Sequence, residues 1–74
     1  MEQNFKVPTA GKKIAYLVDK KLSAKGIYEV IKEANELRSN GQSVLVVRMN
    51  KNKKFQKEQL ALEGYEEFKE FFAD

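Results

Sequence analysis

Apolar residues at positions 27, 30, 31, 34 and 37 recur at helical spacing, then stop at Asn40-Gly41 ahead of the aliphatic run Val44-Leu45-Val46-Val47. Positions three and four apart share one helical face, so Ile27, Val30, Ile31, Ala34 and Leu37 make a single stripe, and Val30, Ile31 and Leu37 are expected to face the sheet. Glycine tolerates the left-handed conformation that closes many helices, which makes Gly41 a stop. The β-branched and aliphatic run after it reads as a buried strand. A second apolar run, Ile14-Ala15-Tyr16-Leu17-Val18, precedes the helix. Strand, helix and strand in this order form a β-α-β unit with parallel strands. Because Ile14–Val18 is apolar on both pleat faces, it is expected at the centre of the sheet, with helices on either side.

The remaining chain supplies the flanks. Residues 1–12 read as a flexible lead-in or linker: Phe5 and Val7 alternate with polar residues, but Pro8 cannot donate to a ladder and Gly11 adds freedom. Residues 13–74 are expected to be one domain. Ser23 is placed to cap the first helix, and Asn50 or Asn52 to cap a second one. That second helix would bury Phe55, Gln59 and Leu62, with Leu60 broadening the face, and would end at Gly64. The tail has two readings. Ala61, Tyr65, Phe68 and Phe72 continue a helical period, giving one helix over 53–72; alternatively Gly64 ends the helix and residues 66–72 form a third strand with Phe68 and Phe72 on one face.

Seventy-four residues allow a modest core, burying roughly 60% of the unfolded surface. Cysteine and histidine are both absent, which excludes a disulfide framework, a thiolate metal site and a Cys- or His-based nucleophile system, and suits an intracellular setting. Neither apolar run approaches the ~20 residues of a membrane span, and the first ten residues carry no apolar signal-peptide core. A soluble cytoplasmic domain without membrane contact is expected. The net charge of +3 hides an asymmetry: the chain carries +8 through Lys57 and −5 from Glu58 onward.

Arg48, Lys51, Lys53, Lys54 and Lys57 fall within ten residues, among Asn50, Asn52 and Phe55. In a parallel sheet this loop leaves the carboxyl end of a strand, where ligands of α/β sheets bind, and Lys20 and Lys21 leave the neighbouring one. Lysines and asparagines can hold phosphates, while Tyr16 or Phe55 could stack on a base unless Phe55 belongs to the core. Glu29, Glu33 and Glu36 lie on the solvent face of the first helix, with Lys25–Glu29 and Lys32–Glu36 at pairing distance. The glycines stand alone at 11, 26, 41 and 64, so no phosphate-cradling loop is present. No catalytic residue, metal site or cofactor is implied.

The run Ala34-x-x-Leu37-Arg38-x-x-Gly41-x-x-Val44 between two apolar strands resembles the anticodon-binding domain of class II aminoacyl-tRNA synthetases. It is most similar to histidyl-tRNA synthetase and its non-synthetase paralogue, the regulatory subunit of ATP phosphoribosyltransferase. Lys54-Phe55-Gln56 falls where that family opens its second helix, and Gly64-Tyr65 where it turns into its third strand; the resemblance covers about residues 13–72. It implies a small three-layer α/β domain, β-α-β-α-β, with a short mostly parallel sheet in the order 2-1-3 and helices on opposite faces, and so favours a third strand in the tail. Synthetase domains continue with a further strand and helix, whereas this chain stops at Asp74. In place of the family's Gly-Arg-Ser signature this chain has Met49-Asn50-Lys51-Asn52. Both departures resemble the regulatory subunit, which implies a non-catalytic interaction domain in histidine biosynthesis. Its partner would be a catalytic subunit or other domains of the same chain, with at most weak nucleic-acid binding. A tRNA-reading domain would instead use Lys20, Lys21, Arg48, Lys51, Lys53, Lys54 and Gln56.

Overall fold

The computed structural model describes residues 12–73, so the lead-in expected over 1–12 lies almost wholly outside the described residues. The elements run β1 (Lys13–Val18), α1 (Ala24–Ser39), β2 (Ser43–Arg48), α2 (Lys53–Leu62) and β3 (Glu67–Phe71). The strands form a parallel sheet in the order β2-β1-β3, with Ile14 paired to Val44 on one side and to Glu67 on the other. The tail is therefore a strand, and the single helix over 53–72 does not form. Crossovers of one hand that run in opposite directions along a sheet put their helices on opposite faces. That is the arrangement here: Ile14, Tyr16 and Val18 pack with Val30 and Ala34 of α1, while Ala15 and Leu17 pack with Leu60 of α2.

Local chemistry sets each boundary. The Ser23 hydroxyl accepts from the Gly26 amide at 3.1 Å, and the Asn52 side chain accepts from the Phe55 amide at 3.0 Å; both are N-caps. A Cβ at Gly26 would come within 2.8 Å of Leu22 Cγ, so the glycine lets Leu22 fold back over the first turn. The two helices end alike. Gly41 and Gly64 have φ of 90° and 101°. Around them Gln42 and Tyr65 donate to the carbonyls of Leu37 and Leu60, and the glycine amides to those of Arg38 and Ala61. This paired bonding satisfies carbonyls that a bare helix end would leave unbonded, and turns the chain back toward the sheet.

The edge of β2 that faces away from β1 is guarded. Ser43 and Met49 donate to the Lys12 and Val18 carbonyls of the β1 side, so by alternation the carbonyls of Val44 and Arg48 face outward. Arg38 donates to the Val44 carbonyl from Nε at 3.2 Å and Nη2 at 2.6 Å, and to Asn35 Oδ1 from Nη1 at 2.9 Å. Gln56 Nε2 donates to the Arg48 carbonyl at 2.8 Å. Side chains thus occupy acceptors that a stray strand would use.

Three expectations need correction. Ile31 is 43% exposed, because a three-stranded sheet takes only a narrow stripe of α1, centred on Val30 and Ala34. Phe55 and Leu62 are 53% and 82% exposed; Leu60, expected only to broaden that face, is the one buried residue of α2, so the helix is turned away from the Phe55–Leu62 stripe. Phe72 lies just beyond β3 and is exposed; Phe71 instead packs on Tyr16 with ring centroids 5.0 Å apart, on the face opposite Phe68.

Leu17, with no exposed surface, is the side chain this core can least replace. Leu17→Ala should cost about 2–5 kcal/mol, enough to unfold much of a marginal domain. Ile31→Ala should stay within about 1 kcal/mol of the parent. Urea denaturation of both variants measures the contrast; similar losses in the two would contradict the placement of α1.

Candidate functional site: the rim at the carboxyl ends of the strands

Parallel strands bring the loops after β1, β2 and β3 to one rim. Asp19 knits it together: its amide donates to the Phe71 carbonyl at 2.9 Å, while its carboxylate accepts from the Lys21 amide at 2.9 Å and the Ala73 amide at 3.3 Å. These backbone bonds, Lys21 first, hold the Asp19 carboxyl below the ordinary carboxylate range. Arg48 Nη1 reaches the Lys20 carbonyl at 3.5 Å, linking the first two loops. Asn50 Oδ1 accepts from the Asn52 amide at 2.9 Å, and Gln56 Oε1 from the Asn50 amide at 3.1 Å.

The seven residues that the sequence groups as a basic binding set separate into two kinds. Gln56 is a clamp, with both ends of its amide bound to the β2–α2 backbone. Lys53 turns inward: Nζ lies 2.9 Å from Glu70 Oε1 of β3 and 4.8 Å from the Phe72 ring centroid. Lys57 takes the other oxygen of Glu70. The two ammonium groups, Lys57 first, hold the Glu70 carboxyl below its ordinary range. Lys20, Lys21, Arg48, Lys51 and Lys54 are exposed, and none of them has a carboxylate at ion-pair distance among the described residues. The β1–α1 and β2–α2 loops bring Lys20, Lys21, Arg48 and Lys51 to the rim, whereas Lys54 stands on the outer side of α2.

Two features escape sequence reasoning. Between α1 and the end of β3 lies an open groove of about 740 Å³, floored by Leu22, Val30 and Phe71 and edged by Lys21, Lys25 and Glu29. It sits where the winding of the sheet reverses, next to the rim. Beside it, Glu33 does not stay on the solvent face with Glu29 and Glu36: it accepts from the Tyr16 hydroxyl at 2.7 Å and from Lys69 Nζ at 2.8 Å. Lys69 and Tyr16, in that order, hold the Glu33 carboxyl below its ordinary range. Burial first, then Glu33, pushes the Tyr16 phenol above its own. A carboxylate held ionised and a phenol held protonated are poor proton-transfer partners, so the triad ties α1 to β3. Only the fold brings positions 16, 33 and 69 together, and no local pattern announces it.

Among the described residues there is no group of three or more side chains suited to hold a metal, and no helix is long and apolar enough to cross a membrane. The depressed carboxyls give a pH dependence of defined sign. Glu33 and Glu70 titrate lower when folded than unfolded, so their stabilising effect is complete above about pH 5 and is lost as pH falls through their folded values. The melting temperature should fall on acidification from pH 7 to about pH 3, and Glu70→Gln should flatten that fall; an unchanged acid limb in the variant would show that the Lys53–Glu70–Lys57 bridge contributes nothing. Comparison of the chain with protein-family models, with curated proteins and with solved structures finds no match.

Proposed function

We propose that this chain is a non-catalytic protein-interaction domain, of the kind that its resemblance to the regulatory subunit of ATP phosphoribosyltransferase implies. One observation carries the reading: Phe55 and Leu62 project from α2 away from the core, leaving large apolar side chains in water where the fold has no use for them. Tyr28 and Ile31 do the same on the outer side of α1. Burial of such side chains at the centre of a contact is the usual source of protein–protein affinity. The partner on this reading is the catalytic subunit of the phosphoribosyltransferase or another domain of the same chain, in the cytoplasm. Acid–base catalysis has little support, because the carboxylates with shifted titration are bound to lysines or backbone amides.

RNA binding is the second reading, and the convergence of Lys20, Lys21, Arg48 and Lys51 on one rim favours it. Salt separates the two, since phosphate contacts make affinity fall steeply with ionic strength. On the interaction reading, histidine tRNA and an unrelated tRNA should bind equally weakly, at about 10⁻⁴–10⁻⁶ M near physiological salt. Replacing Lys20, Lys21 and Lys51 with alanine should leave the melting temperature nearly unchanged. Tight binding of one tRNA alone, lost in that triple variant, would overturn the interaction reading and make the domain an anticodon reader.

A further inference from the structure

The charges on α2 run the wrong way for an isolated helix. Lys53 and Lys54 stand in its first turn, which itself contains no acidic residue, its last turn carries no base, and Glu63 is the C-cap residue. A helix is partially positive at its amino end and partially negative at its carboxyl end, so each of these charges opposes the dipole. Glu70 offsets Lys53, but among the described residues nothing pairs with Lys54 or with the carboxylates of Glu58 and Glu63. The change from the +8 part of the chain to the −5 part falls between Lys57 and Glu58, at the middle of this helix.

The outward face is also laid out for contact. At ~100° per residue, Phe55 and Leu62 lie roughly 140° and 160° around the helix from Leu60, the residue seated on the sheet. Phe55 and Leu62 thus form the ridge of the outer face. Lys54 and Glu58 follow one flank of that ridge, one turn apart, and Gln59 lies on the other.

We propose that α2 is a self-association surface, pairing antiparallel with α2 of a second copy of this chain about a two-fold axis. The proposal rests on the interaction reading and specifies the partner of one face. A two-fold axis between antiparallel helices brings the same flank of each helix together with the direction reversed. Phe55 of one copy then seats against Gln59 and Leu62 of the other, and Lys54 of each copy comes opposite Glu58 of its partner. The basic first turn of each helix lies beside the acidic half of the other, and the two dipoles lie antiparallel side by side. Charges adverse to the helix dipole within one chain become favourable between two. A ten-residue helix is about 15 Å long, so the contact belongs with interfaces below about 1,200 Å², and its dissociation constant should be on the order of 10⁻⁴ M.

Sedimentation of the full chain, from about a tenth to about ten times that concentration, tests the pairing. The weight-average mass should climb from 8.6 kDa toward twice that value. Leu62→Ser should hold the chain monomeric at the top concentration without lowering its melting temperature, since Leu62 is 82% exposed. Lys54→Glu and Glu58→Lys should each weaken association about tenfold, because each places like charges opposite one another twice. An equimolar mixture of these two variants should associate again, because every reversed charge then meets its opposite. A parent chain that stays monomeric throughout overturns the pairing, as does Leu62→Ser associating like the parent. A mixture no stronger than its separate components also overturns it. Binding of a phosphoribosyltransferase catalytic subunit by a chain that stays monomeric would overturn the pairing and leave the interaction reading standing.

Discussion

Everything in this domain hangs on the two-sided burial of β1. A sheet of three strands has one interior strand, and only that strand can hold two helices to a common core. Its odd positions, Ala15 and Leu17, face α2, and its even positions, Ile14, Tyr16 and Val18, face α1. All five are buried. Among the described residues β2 and β3 each pair with β1 alone, and the carboxyl-end rim exists because β1 is parallel to both. Removing β1 from the centre would leave two strands with no shared neighbour and two helices with no shared floor.

That dependence explains what the sequence disclosed and what it withheld. The central strand was legible because a run apolar at both odd and even positions has no good place but an interior one. The helix ends were legible because Gly41 and Gly64 supply conformations that other residues reach only with strain. The buried face of α2 was not. Phe55, Gln59 and Leu62 form a sound helical stripe, yet the stripe faces water, and the sheet side is lined by Leu60 with Gln56, Lys53 and Lys57. Periodicity finds a face; it does not tell which side of the face the core lies on. The same limit applies to the basic set, since Lys53 is silenced by Glu70, seventeen residues away in sequence.

The residues behind the family resemblance also acquire physical roles. Ala34 has no exposed surface, which lets α1 approach the sheet closely, and Leu37 packs beside it. Arg38 closes the outer edge of β2 at Val44, and Gly41 makes the turn between them. Each residue of Ala34-x-x-Leu37-Arg38-x-x-Gly41-x-x-Val44 therefore serves the α1–β2 junction. None of them lies among the exposed cations of the rim or on the outer face of α2. The motif is a signature of how this junction folds, and the choice between protein and RNA partners rests on the loops and on α2.

Native-state hydrogen exchange tests the central role of β1 most directly, because it orders segments by the free energy of the opening that exposes them. Amides of Ala15, Tyr16 and Leu17 should exchange only through global unfolding, with protection that tracks the denaturant stability of the whole domain. Amides of α2, held to the sheet chiefly through Leu60, should exchange through smaller openings. Protection concentrated in α1 or α2, with β1 opening below the global free energy, would contradict the account.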